Sequence, residues 1–161
     1  MIASSAVQQL QTRFRGELLT RNDPGYDTAR TVFNAEIDRR PAVIARCTGA
    51  DDVIQAVNFA RGEDVLVAVR GTGHNVAGYA VCDDGLVIDL SRLNGVSVDP
   101  ATRRARVQGG ALLRDLDAAT QAHGLAVPAG LVGHTGVAGL TLGGGMGWLT
   151  RQAGLSIDNL V

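Results

Sequence analysis

Val65-Leu66-Val67-Ala68-Val69-Arg70-Gly71-Thr72-Gly73-His74-Asn75 is an apolar run of strand length that passes directly into a glycine loop. A continuous run of this kind, without alternation, fits a strand buried on both faces, as in a parallel sheet. Upstream, Val43-Ile44-Ala45-Arg46 reads as a shorter strand. Between the two, Thr48 followed by Asp51 and Asp52 marks a helix start, with acids where the helix dipole favours them. Val53, Ile54, Val57 and Ala60 give that helix an apolar stripe to bury. The sequence therefore predicts a β-α-β unit that delivers a glycine loop at the end of its second strand.

On the N-terminal side, Val7, Leu10, Phe14 and Leu18 recur at helical spacing, which predicts an amphipathic helix ended by the breaker Asn22-Asp23-Pro24-Gly25. On the C-terminal side, Leu86 to Leu90 reads as a further strand and Asn94-Gly95 as a tight turn. Val96 to Val98 and Arg104 to Val107 read as two short strands around Asp99-Pro100. Ala111 to His123 reads as a helix ending at Gly124, with His123 in a structural place in its last turn. Met146 and Trp148 read as core. The last residues, Ser156 to Val161, look like the start of an exposed strand, a poor place for a domain to finish, so a truncation is expected.

Composition excludes several functions. The chain has 161 residues and a formal net charge of -1, which suits one soluble globular domain. No apolar run approaches the roughly 20 residues of a membrane span, and the N-terminus lacks a signal-peptide pattern, so a cytoplasmic protein is expected. The sequence contains no Lys, which removes a P-loop lysine, a Schiff-base lysine and a lysine general base. Arg103, Arg104 and Arg106 form the one basic stretch and read as a solvated strand face, so no nucleic-acid partner is expected. Cys47 and Cys82 are too few for a disulfide framework and are expected to be reduced and structural. The 3 histidines have no metal-ligand spacing, so no metal site is expected.

A glycine loop directly after a buried strand can aim backbone N–H groups at an anion, with Arg70 at its mouth as a charged donor, and a phosphate is the natural guest. A dinucleotide fingerprint of the Rossmann type would need a third glycine where Val76 stands, with a helix following. Gly143 to Gly147 fail likewise, because Trp148 takes the third position. A lone histidine in a glycine loop is more often a surface or capping residue than a cofactor anchor. His74 by itself therefore decides nothing.

The order of the glycine segments is more specific. Arg70-Gly71-Thr72-Gly73-His74-Asn75 is followed by Gln108-Gly109-Gly110, then by Gly133-His134-Thr135-Gly136-Val137-Ala138-Gly139, then by Gly143-Gly144-Gly145. This order resembles the vanillyl-alcohol-oxidase-like flavoproteins with a PCMH-type FAD-binding domain, and within them the berberine bridge enzyme and 6-hydroxynicotine oxidase branch in its bacterial form. The resemblance runs from about Gly25 to the last residue, with residues 36–161 as the recognisable motif region and 67–90 and 136–160 as its most specific stretches.

The resemblance implies an α+β fold: a small β-α-β first subdomain and an incomplete second α+β subdomain, together one FAD-binding domain over 1–161, truncated at its C-terminus and without a substrate domain. FAD would lie extended between the two parts. Its binding residues would be Arg70, Gly71, Thr72, Gly73, His74 and Asn75 in the first loop, Gly133, His134, Thr135, Gly136, Val137 and Gly139 in the second, and Gly144. The residue-level reading gives His134 two equal roles, facing the cofactor or donating to loop backbone, and leaves both open. Covalent attachment of the flavin 8α-methyl through His74 is implied, since a neutral imidazole nitrogen is a competent nucleophile near pH 7. Some relatives add a link through cysteine, but Val132 stands at that position, so a single link is expected. Thr72 replaces a glycine usual in this loop, which requires that residue 72 avoid positive φ.

The function so implied is FAD binding in an FAD-linked oxidoreductase. The whole protein would oxidise a small alcohol, sugar or amine by hydride transfer to flavin, with oxygen as acceptor. No residue here is assigned as catalytic acid or base, and the chain alone is expected to show reduced or absent turnover. The alternative is a non-catalytic flavin-binding fragment or subunit that needs a partner chain, or self-associates through its truncated edge. A degenerate chain that binds nothing is a third reading, opposed by the intact glycine pattern.

Overall fold

Leu86-Val87-Ile88-Asp89 has no exposed residue, and the first of two units is built around it. The computed structural model describes residues 2–161, and the chain divides between Arg92 and Leu93 into these units. In the first unit, β1 (Glu17–Thr20), β2 (Val43–Arg46), β3 (Val67–Arg70) and β4 (Leu86–Asp89) form one sheet in the order β1-β2-β4-β3. β2, β4 and β3 run parallel, while β1 is antiparallel to β2. Because β2 and β3 flank β4, the chain must cross over between them, and the crossover is the helix α3 (Ala50–Gly62). Two shorter helices, α1 (Ser4–Gln11) and α2 (Tyr26–Ala29), precede it. Leu19, Tyr26, Ile44, Ala68 and Val87 meet in a core on one face of the sheet.

Several expectations for this unit are corrected. The N-terminal helix stops at Gln11, and Leu18 belongs to β1, where it pairs with Ala45. Backbone pairing along the free edge of β2 outweighs the helical spacing of a few apolar residues. α3 buries Asp52, Ala56 and Ala60 rather than Ile54 and Val57, which are 54% and 49% exposed. Small alanines let the helix approach the sheet, and the Asp52 carboxylate finds backbone donors there. β3 is an edge strand and not a doubly buried one: Ala68 points into the core, but Val69 is 57% exposed. An apolar run specifies a strand without specifying its place in the sheet.

The second unit contains the hairpin β5 (Val96–Asp99) and β6 (Arg104–Val107), then α4 (Leu113–Gln121), α5 (Val137–Leu142), α6 (Thr150–Ala153) and a short 3-10 helix at Ile157–Asn159. Leu113, Leu116 and Val137 pack with Val96, Ala105 and Val107. Arg104 and Arg106 alternate with these inward residues and are exposed, as expected of a solvated strand face. The tight turn falls at residues 100–103 instead of Asn94-Gly95, because the Gly95 N–H is taken by Gln108 Oε1 at 2.7 Å. Met146 and Trp148 are not core, with Trp148 84% exposed. Their loop turns inward through backbone instead: Ser156 N–H donates to the Gly145 carbonyl at 2.9 Å. The expected terminal strand start is likewise the 3-10 helix. Among the described residues no helix is long and apolar enough to cross a membrane.

Candidate functional site

In-register pairing brings Arg46, Asp89 and Arg70 together at the carboxyl ends of β2, β4 and β3. This is the edge at which open parallel sheets present ligand-binding loops. Asp89 is fully buried. Its Oδ2 accepts from Arg70 Nη2 at 2.7 Å, its Oδ1 accepts from the Ser91 N–H at 2.9 Å, and Arg46 Nε lies 3.6 Å from Oδ2. Arg70 Nη1 donates to the carbonyls of Ala29 and Thr31. The guanidinium expected at the loop mouth is thus turned inward. A buried carboxylate without a cation is far costlier than a solvated arginine, so Asp89 captures it.

Arg70 leads into the loop that contains His74, and the segment around Phe33 braces that loop at successive points. Val32 lies about 3.5 Å from where a Gly73 side chain would begin. The Phe33 N–H donates to the Gly73 carbonyl at 3.1 Å, and Asn34 Nδ2 donates to the Val76 carbonyl at 3.1 Å. The Phe33 and His74 rings stack with centroids 4.3 Å apart and planes 21° from parallel. Gly73 has φ +79°, a conformation that glycine alone adopts without strain. Thr72 avoids positive φ, so the substitution noted in the sequence meets its backbone requirement. Asn75 closes the loop by accepting the Tyr79 N–H at its Oδ1, 2.9 Å away, and the Gly78 N–H at its carbonyl, 3.1 Å away. His74 is half-buried.

The second glycine loop lies in the other unit and is braced on the start of α4. Leu113 N–H donates to the Thr135 carbonyl at 2.9 Å, Arg114 N–H donates to the Gly133 carbonyl at 2.9 Å, and Gly136 bridges Leu112. Val137 N–H donates back to the Ala111 carbonyl at 3.0 Å. His134 is exposed, Gly136 and Val137 are buried, and Gly139 sits within α5. Gly144 has φ +110° and accepts the Ile157 N–H at its carbonyl, 3.0 Å away. Val132, in the place of a second linking cysteine, is 47% exposed.

Both cysteines are free and buried. Burial pushes the Cys47 thiol up to about 12, and the nearby Asp52 and Asp89 charges push the same way. Burial also raises Cys82. Neither supplies a thiolate near neutral pH, which fits the structural reading. Among the described residues no group of His, Cys, Asp or Glu is placed to hold a metal.

The sequence model of the FAD binding domain family matches residues 41–161. The chain belongs to that family. This FAD-binding domain is 38% identical over 151 residues to the FAD-linked oxidoreductase YgaK of Bacillus subtilis, covering 94% of the chain and 34% of the relative. It is 38% identical over 147 residues to (R)-6-hydroxynicotine oxidase of Paenarthrobacter nicotinovorans, covering 91% of the chain and 32% of the relative. The crystal structure of 6-hydroxy-D-nicotine oxidase from Arthrobacter nicotinovorans superposes with a TM-score of 0.89 at 35% identity, over 98% of the chain and 34% of that structure. The α+β fold and the resemblance to the 6-hydroxynicotine oxidase branch are therefore borne out. The FAD-binding domain spans about a third of the length of the relatives it matches.

The residues of the first loop fit a phosphate-bearing cofactor. The loop Gly71-Thr72-Gly73 follows directly on the parallel strand β3, with positive φ at Gly73, and an imidazole comes next. Sequence reasoning missed the braces that shape this loop: Ala29, Thr31, Val32, Phe33, Asn34 and Asp89. Only Asp89 left a signal, as a carboxylate closing an otherwise apolar strand. Phe33 follows Val32 in a mixed stretch, where no periodicity marks it.

Proposed function

We propose that this domain holds FAD covalently through His74, with Gly71, Thr72, Gly73 and Asn75 providing the first backbone cradle. Gly133, His134, Thr135, Gly136, Val137, Gly139 and Gly144 complete the binding set. Arg70 belongs to the set as the residue that fixes the first loop through Asp89, Ala29 and Thr31. The observation that carries this reading is the glycine loop Gly71 to Gly73 at the carboxyl end of β3, directly ahead of a braced, half-buried His74. The backbone of such a loop suits the pyrophosphate, and the braced imidazole suits attachment to the 8α carbon. The link replaces one methyl C–H and the imidazole N–H by a C–N bond, and the two protons and two electrons pass to dioxygen, giving hydrogen peroxide. With Val132 at the second position, one link forms.

FAD supplies the redox chemistry when bound: it accepts a hydride from a small alcohol, sugar or amine, and oxygen is the acceptor that follows. The chain's own residues bind and orient. Because the relatives are about three times longer, substrate oxidation belongs to the whole protein, and this chain alone turns over slowly or not at all. Titrating the purified chain with FAD tests the binding step. Quenched flavin fluorescence with saturation at one equivalent is expected. Unquenched fluorescence at tens of micromolar chain would overturn it.

A further inference from the structure

We propose that Phe33 is the positioning residue for His74, setting the plane and rotamer in which the imidazole meets the flavin; this rests on the covalent reading above. Phe33 is 65% exposed, so packing into a core does not explain the large apolar ring. The ring instead lies on the His74 imidazole at 4.3 Å and 21°. The backbone makes this placement specific: the Phe33 N–H donates to the Gly73 carbonyl, so residue 33 sits beside the peptide that precedes His74. Val32 and Asn34 fasten the loop on either side, against Gly73 and Val76. Arg70 pins the start of the same segment through Ala29 and Thr31. The 29–34 segment is thus a clamp along the loop, and Phe33 is the member whose ring stacks on the imidazole.

A ring stacked on the face of the imidazole restricts its rotation about the side-chain bonds and does not itself occupy the in-plane nitrogens. Orientation of this kind speeds bond formation by presenting the nucleophile in a reactive geometry. An offset aromatic pair contributes enough for roughly a two- to tenfold effect on rate once converted through the barrier. Because Phe33 is exposed, replacing it leaves the core unchanged.

The test compares wild type, Phe33→Leu and Phe33→Tyr in two measurements on the full chain. In nuclear magnetic resonance spectra of the chain without flavin, His74 ring protons, assigned with His74→Ala, should lie upfield from the Phe33 ring current. They should move downfield in Phe33→Leu and stay in Phe33→Tyr. On mixing with excess FAD, acid-stable flavin is followed by intact mass over time. Phe33→Leu should attach roughly two- to tenfold more slowly at saturating FAD, with the half-saturating FAD concentration unchanged, and Phe33→Tyr should restore the rate. Equal maximal rates for wild type and Phe33→Leu overturn this inference alone, as does a slower rate explained wholly by weaker FAD binding. Absence of any link in wild type overturns the covalent reading and this inference with it.

Discussion

Arg70 Nη2 donates to Asp89 Oδ2 at 2.7 Å, joining the carboxyl ends of β3 and β4 by a buried ion pair directly before the His74 loop. Removing the cation leaves a carboxylate that is inaccessible to water, with Arg46 Nε still 3.6 Å away. Arg70→Met should therefore cost about 3 to 5 kcal/mol. Urea unfolding followed by circular dichroism measures it. A loss below about 1 kcal/mol would mean that water or Arg46 compensates the carboxylate, a range typical of exposed pairs.

Asp52 should govern part of the acid limb of stability. Burial opposes its ionisation, but the Thr48 and Arg15 N–H groups and the Thr48 hydroxyl outweigh that and hold its carboxyl below the usual range. A folded value below the unfolded value of about 3.9 means that the unfolded chain takes up the proton first as pH falls. The stabilisation is thus complete above about pH 4 and is lost as pH drops through the folded value. Asp52→Ala should cost about 2 kcal/mol at pH 7, and the difference from wild type should shrink below about pH 4. Unfolding midpoints measured from pH 7 to pH 2.5 would show a constant difference if the hydrogen bonds do not depend on charge.

Cys47 and Cys82 should resist thiol reagents in the folded chain at pH 8. Burial is the larger cause of both raised values, and it blocks access as well as ionisation. With Ellman's reagent, both should react quickly only in denaturant. Fast reaction of either in native buffer would indicate local opening around β2 or around the Cys82 turn.

At the loop itself, Gly73→Ala should cost about 1 to 2 kcal/mol, because its φ of +79° places a side chain in the left-handed region. Thr72→Gly should change stability little, since Thr72 has no positive φ to relieve. Thermal unfolding of the two variants separates them, and equal losses would contradict the backbone assignment.

How much of this was legible in the sequence depends on the physical origin of each feature. Val43–Arg46, Leu86–Asp89 and the crossover helix between strands were legible because apolar runs and helix-start residues are local signals. The placement of β3 at an edge was not, since Val67 and Val69 are as apolar as the buried valines of β2 and β4. β1 was hidden because it is made by pairing with β2, and Leu18 fell by chance on a helical repeat. The glycine pattern located both candidate loops, but not what shapes them. Arg70 reads as a donor at the loop mouth, and its buried partner Asp89, nineteen positions later, comes beside it only through strand pairing. Phe33 reaches His74 only through tertiary structure.

Covalent attachment at His74 is tested most directly by the intact mass and visible spectrum of the acid-denatured chain after incubation with FAD, compared with His74→Ala. A flavin-sized mass increment that survives denaturant in wild type and is absent in His74→Ala is the predicted result. An unmodified wild-type mass, or an increment that persists in His74→Ala, would contradict it.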